Sequence, residues 1–159
     1  MWTKELFGTE KPIIALLHLD PLPGDPDFCG SLDTVIEHAS CDVKALQEGG
    51  VDGVLIANEF SFPMTYVSHT ETLMAMACVI GAIKKDIHVP FGTNVVMNPE
   101  ETIRMAKAVG ASFGRSAFAG AFTGTYGVHV NNFGENVRLK YALGIPEMKL
   151  LCKINPEGD

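Results

Sequence analysis

Apolar residues in this chain fall into two alternating patterns: short unbroken runs, and longer stripes at steps of three and four. Residues 12–18 (PIIALLH) form an aliphatic run that does not alternate with polar positions, which predicts a strand covered on both faces. Leu32, Val35, Ile36, Ala39, Val43 and Leu46 then mark one face of a helix, opened by Ser31 and stopped by Gly49-Gly50. Residues 53–57 (GVLIA) predict the second strand. Ser68 with Glu71 reads as a capping box for a helix striped by Leu73, Met76, Ala77, Ile80 and Ile83, ending on Lys84 and Lys85. A third strand is predicted over 89–95. Asn98-Pro99-Glu100-Glu101 is a strong helix start, with Ile103, Ala106 and Val109 inward and Gly110 as the stop. A fourth strand is predicted over 111–115 and a Gly- and aromatic-rich loop over 116–130. Asn132 with Glu135 opens a further helix toward Leu143-Gly144, and a fifth strand is predicted over 147–154, before the end segment 155–159.

Strands and helices alternating at roughly 35-residue intervals imply parallel strands joined by right-handed crossovers, an α/β fold in one domain over 1–159. Two architectures fit. A doubly wound sheet of five strands is complete at about 150 residues. A (β/α)₈ barrel needs about 250, so 159 residues make about five eighths of one. Length favours the first, and the residues favour the second. No Gly-x-Gly-x-x-Gly follows the first strand; the loop 20–30 holds three prolines and two glycines instead. Polar residues recur at successive strand ends, at His18, Asn58-Glu59, Asn94 and Arg115, and a barrel aims those ends at one place.

Nineteen acids against twelve bases leave a net charge of −7, which excludes a broad nucleic-acid footprint but not a local phosphate site built from backbone N–H groups. The four cysteines, at 29, 41, 78 and 152, show no C-x-x-C spacing and read as reduced thiols of a cytoplasmic protein. The start of the chain carries no signal-peptide pattern, and no apolar stretch reaches the ~20 residues of a transmembrane segment.

The strand-end residues carry the candidate chemistry. His18 suits a base, an acid or a metal ligand, or else it holds the proline loop in place. Glu59, beside it in a parallel sheet, suits a proton-exchange partner or a shared divalent metal; a salt bridge accounts for it equally. Two such groups do not make a metal site, so the cofactor stays unspecified. Asp20 and Asp25 lie in the covering loop, where carboxylates are usually solvated or bonded to nearby N–H groups; their spacing allows a hard-cation site but does not indicate one. Asn58 and Asn94 can orient a hydroxyl or carbonyl, and Asn94 also fits a turn role. Arg115 suits a carboxylate or phosphate clamp, or an ion pair at the rim. Lys153 can reach the same mouth. Residues 121–126 (AFTGTY) fit either a lid or an ordinary loop. His38, His69, His88 and His129 read as surface or packing residues.

The blocks KPIIALLHLDPLPGDP, GGVDGVLIANEF, VPFGTNVV and GASFGR together resemble the BtpA family, over residues 11 to about 156. Relatives carry a bulky apolar residue before the arginine, where this chain has Gly114. The resemblance implies a ribulose-phosphate-binding type of TIM barrel, longer than this chain, of which 1–159 would supply the first five βα units. It implies a small phosphorylated metabolite as partner, with His18 and Glu59 catalytic and Asp20, Asn58, Asn94 and Arg115 on the substrate. The family also includes proteins described in photosystem I assembly, which leaves a non-enzymatic assembly role open. A five-strand piece exposes its edges, so a homo-oligomer, a complementing chain or an inactive fragment also fits.

Overall fold

A computed structural model describes residues 1–154. The end segment 155–159, including the last residues of the family resemblance, lies outside the described residues. Helix α1 (Trp2–Phe7) precedes strand β1 (Ile14–His18). Helix α2 (Leu32–Glu48), β2 (Gly53–Ala57), α3 (Thr70–Ile83), β3 (Phe91–Asn94), α4 (Pro99–Val109) and β4 (Phe113–Ser116) follow. A hairpin of β5 (Gly120–Gly124) and β6 (Gly127–Asn131), helix α5 (Phe133–Ala142) and β7 (Lys149–Cys152) complete it.

Five strands form one parallel sheet in the order β1-β2-β3-β4-β7. Apart from the hairpin, that is sequence order without a reversal. A doubly wound sheet needs a switch point where the order turns back. This sheet has none, so it is an arc of a barrel.

The two faces of the arc differ as barrel faces do. Alternation along each strand sends neighbouring side chains to opposite sides. Leu17, Val54, Ile56, Phe91 and Val95 pack with Val35, Ala39 and Val43 of α2 and Met76, Val79, Ile80 and Ile83 of α3. Leu55 and Phe113, with Ile14 and Leu151, cluster on the other, inner face around Phe7 of α1. The Phe7 and Phe113 rings meet edge to face at 5.5 Å. Gly53 and Gly92 make room for them: a Cβ on Gly53 would lie 2.7 Å from the Phe7 ring, and one on Gly92 would overlap the Phe113 ring. Helix α1, unannounced by any long apolar stripe, thus plugs the amino-terminal end of the inner face. Leu16, on that face in edge strand β1, is 46% exposed.

Local hydrogen bonds set the element ends. Ser31 accepts from the Thr34 amide and Asn98 from the Glu101 amide, capping α2 and α4. The Ser68–Glu71 box does not form; α3 starts at Thr70 behind His69, which makes no side-chain cap bond. Strand β1 starts at Ile14 because the Ile13 amide bonds the Asp52 carboxylate and its carbonyl accepts from Asp52 and Gly53. Strand β3 starts after Pro90, which has no N–H to give. Strand β4 starts two residues after 111 because the Gly110 and Ala111 amides are still bonded to Ala106 of α4. The space that a bulky residue would need at Gly114 is taken by Met148 and Thr102, 2.7 and 2.9 Å from an added Cβ.

Residues 116–130, read as a loop, contain the hairpin. Its register runs from Gly120 opposite Asn131 to Gly124 opposite Gly127, around Thr125-Tyr126.

Candidate functional site at the strand ends

Register aligns the inner-face residues at the carboxyl end of the sheet. His18 stands opposite Ala57, and Ala57 opposite Asn94. Arg115 follows Gly114, which pairs with Leu150, and shares the inner face with Phe113. His18, Asn94 and Arg115 therefore share one face and one end of the sheet, as a barrel mouth requires.

Their side chains then diverge. Asn94, 3% exposed, lines a cavity of about 40 Å³ with Ser116, Val96, Met97 and Lys153. Phe122, Thr123 and Gly124 of β5 and His129 of β6 roof it, and Tyr66 of the β2–α3 loop forms a wall. His18 turns its ring edge-on to Phe60 at 5.8 Å and makes no hydrogen bond among the described residues. Met64 packs with Ala57 and Val96, in the row between His18 and Asn94. Glu59 and Arg115 are half-buried and have no hydrogen bond or ion pair among the described residues.

Two predicted substrate contacts have structural partners. The Asn58 side-chain oxygen accepts from the Val96 amide at 2.9 Å, which holds the β2 and β3 ends together. Asp20 pairs with His38 of α2 at 2.6 Å, so its carboxylate faces that helix rather than His18. Asp25 accepts from the Leu22 amide and the Ser61 hydroxyl, and Thr72 donates to the Pro23 carbonyl. The Ser61 and Thr72 bonds fasten the proline loop to the β2–α3 loop and to α3. No group of three or more His, Cys, Asp or Glu placed to hold a metal ion occurs among the described residues.

His129, which reads from sequence as a surface or packing residue, lines the cavity. It lies against Tyr66 with ring centroids 4.5 Å apart, and its Nε2 is buried without a hydrogen-bond partner among the described residues. Burial lowers its pKa, and a hydrogen bond with Asn131 partly offsets that. Asn131 also donates to the Ala117 carbonyl, and the Tyr66 hydroxyl to the Gly127 carbonyl. The available signal was the alternation Val128-His129-Val130-Asn131: two exposed valines on one face, and the histidine and asparagine on the other.

The match to the family model described as the BtpA family runs over residues 9–158. The chain belongs to the BtpA family. Among BtpA relatives, the Putative sgc region protein SgcQ of Escherichia coli (strain K12) is 46% identical over 159 residues, 99% of this chain and 59% of its own length. The Photosystem I biogenesis protein BtpA of Synechocystis sp. is 32% identical over 143 residues, 87% of this chain and half of that protein. This BtpA-family chain thus spans between half and three fifths of these two relatives. Among solved structures, a dihydropteroate synthase of Xanthomonas albilineans with 4-aminobenzoic acid superposes with a TM-score of 0.59. It is 19% identical and covers 93% of this chain and 47% of the enzyme; the likeness is one of fold, and that fold is TIM-barrel-like. No helix among the described residues is long and apolar enough to cross a membrane.

Proposed function

We propose that this BtpA-family chain supplies part of the mouth of a small-molecule barrel that binds a phosphorylated sugar or related metabolite. The observation that carries the reading is the cavity over the ends of β3, β4 and β7. It is polar at Asn94, Ser116, His129 and Lys153, and a hairpin roofs it. Ligand sites of barrels lie at this end of the strands. Asn94 fixes a ligand oxygen there, and Arg115 clamps an anionic group from the adjoining strand. His18 and Glu59, on the neighbouring edge, exchange protons with the ligand once it is seated. The hairpin serves as the lid.

The test is a titration of the chain with D-ribulose 5-phosphate and D-ribose 5-phosphate, followed by NMR. Saturable shifts of the Asn94 side-chain amide, lost in N94A and weakened in R115A, are expected. Resonances that stay unmoved at millimolar ligand would reject the reading. In the longer relatives, turnover unaffected by H18A and E59Q would remove those two residues from the chemistry.

A second reading is favoured by Val128 and Val130, which are 69% and 72% exposed on the outward face of the hairpin. Such a pair suits docking to another protein, in keeping with the biogenesis name of the Synechocystis relative. Exposed Leu16 and the open edges β1 and β7 likewise suit a second copy or a complementing chain. Sedimentation at tens of micromolar separates these: a monodisperse monomer contradicts self-association.

A further inference from the structure

His129 lines the cavity, and one atom of its ring, Nε2, is covered by neighbouring atoms with its bonding incomplete among the described residues. The His129 ring lies flat on Tyr66, and Asn131, two residues on along the same face of β6, is the polar neighbour that raises its pKa against the effect of burial. Tyr66 is itself held, by its hydroxyl on the Gly127 carbonyl and by the Asn98 amide on its own carbonyl. Nε2 is nonetheless buried with no hydrogen-bond partner among the described residues. Buried polar atoms are nearly always satisfied, and an exception calls for a missing partner.

We propose that His129 contacts the ligand, its Nε2 accepting a hydrogen bond from a ligand hydroxyl, while Asn94 serves the neighbouring oxygen. This rests on the mouth reading above and adds to it which end of the metabolite this chain holds. Asn131 gives one amide N–H to the Ala117 carbonyl, and its bond to the ring favours the protonated imidazole, as expected where a ring N–H donates to the Asn131 oxygen. In a neutral imidazole, one nitrogen donates and the other carries the lone pair. The neutral form is favoured here, because burial of the ring disfavours its charged form. A lone pair accepts from O–H or N–H, whereas a phosphate dianion has no proton to offer.

The end selected is therefore a hydroxycarbonyl or a vicinal diol, which both gives and receives hydrogen bonds. A cavity of about 40 Å³ admits that end and not a whole sugar phosphate. In barrels the phosphate commonly sits on the loops after strands seven and eight, away from these five strands.

The experiment follows the side-chain nitrogens of ¹⁵N-histidine-labelled chain during titration with D-ribulose 5-phosphate and, separately, inorganic phosphate. D-ribulose 5-phosphate is expected to shift the His129 Nε2 resonance away from its free lone-pair position, and inorganic phosphate to leave it in place. H129F keeps a flat ring on Tyr66 and is expected to weaken D-ribulose 5-phosphate about tenfold. H129Q, which returns an acceptor oxygen, is expected to recover part of that loss. Equal affinity of H129F and the native chain overturns this inference and leaves the mouth reading standing. An equal Nε2 shift with inorganic phosphate overturns the hydroxyl assignment. Absence of any binding by the native chain removes the mouth reading and this inference together. Where H129F loses its hairpin, seen as lost contacts between residue 66 and β6, the native Nε2 shift alone decides.

Discussion

The His129 imidazole and the Tyr66 ring are 7° from parallel at a centroid distance of 4.5 Å. One ring comes from the hairpin and the other from the β2–α3 loop, which are more than fifty residues apart in sequence. The stack is the fastening that keeps the roof over the cavity, with the Tyr66 hydroxyl bond to Gly127 beside it.

Y66A removes both. An aromatic pair contributes ~0.5–1.5 kcal/mol beyond its buried area, and an exposed hydrogen bond adds little to that. Amide hydrogen exchange across β5 and β6 should accelerate by up to about tenfold, while β2 and β3 amides stay unchanged. Unaltered hairpin exchange would show that the stack does not secure the roof.

The lowered pKa of His129 ties stability to acidity, and the sign follows from which state binds the proton. The unfolded imidazole titrates near 6.5 and the folded one below it, so the unfolded state holds more protons in between. The contribution is therefore complete above about pH 6.5 and is lost as the pH falls through the lowered folded value. Denaturant midpoints from pH 7.5 to 4.5 should show this acid-side loss, and it should be smaller in H129F. An identical pH dependence in the two proteins would rule the coupling out.

Asn58 reads from sequence as a substrate contact and in the fold holds the Val96 amide. N58A leaves that buried N–H without its acceptor, at a cost of ~1–3 kcal/mol. A lower denaturant midpoint with an unchanged slope is the expected result; wild-type stability would show that the amide finds another partner.

Gly92 sits beneath the Phe113 ring on the inner face. G92A forces that ring aside, and overpacking of this kind costs ~1–3 kcal/mol. Because Phe113 also meets Phe7, the packing of α1 should loosen as well, read as faster exchange of the α1 amides. Exchange at wild-type rates would mean that the plug is independent of Phe113.

Sequence pattern carries the arc well and the mouth poorly. Unbroken apolar runs and three-and-four stripes survive in the structure because burial on the sheet's helix side decides them; Val54, Ile56, Val79 and Ile80 are wholly buried. The choice between barrel and doubly wound sheet was visible only indirectly, in the polar strand ends, the missing Gly-x-Gly-x-x-Gly and the family resemblance, since strand order is a property of the assembled sheet. Helix α1 is too short for a stripe, and its role depends on a single side chain, Phe7, reaching Phe113. The hairpin turns on Thr125-Tyr126, without the Asn-Gly or Asp-Gly pair that marks tight turns. Side-chain direction was the hardest to read. Asp20 pairs with His38 and Asn58 with a backbone amide, and both bonds come from elements brought close only by folding.

The order of the sheet bears on how the protein is made. Each parallel strand lies beside the one that precedes it in the sheet and in the chain, so no strand waits for a later one to be inserted beside it. A polypeptide emerging from the ribosome can thus build this arc vectorially, docking each βα unit on the previous one. β7 is then the last of these five strands to dock, and Leu16 on edge strand β1 stays exposed after it has done so.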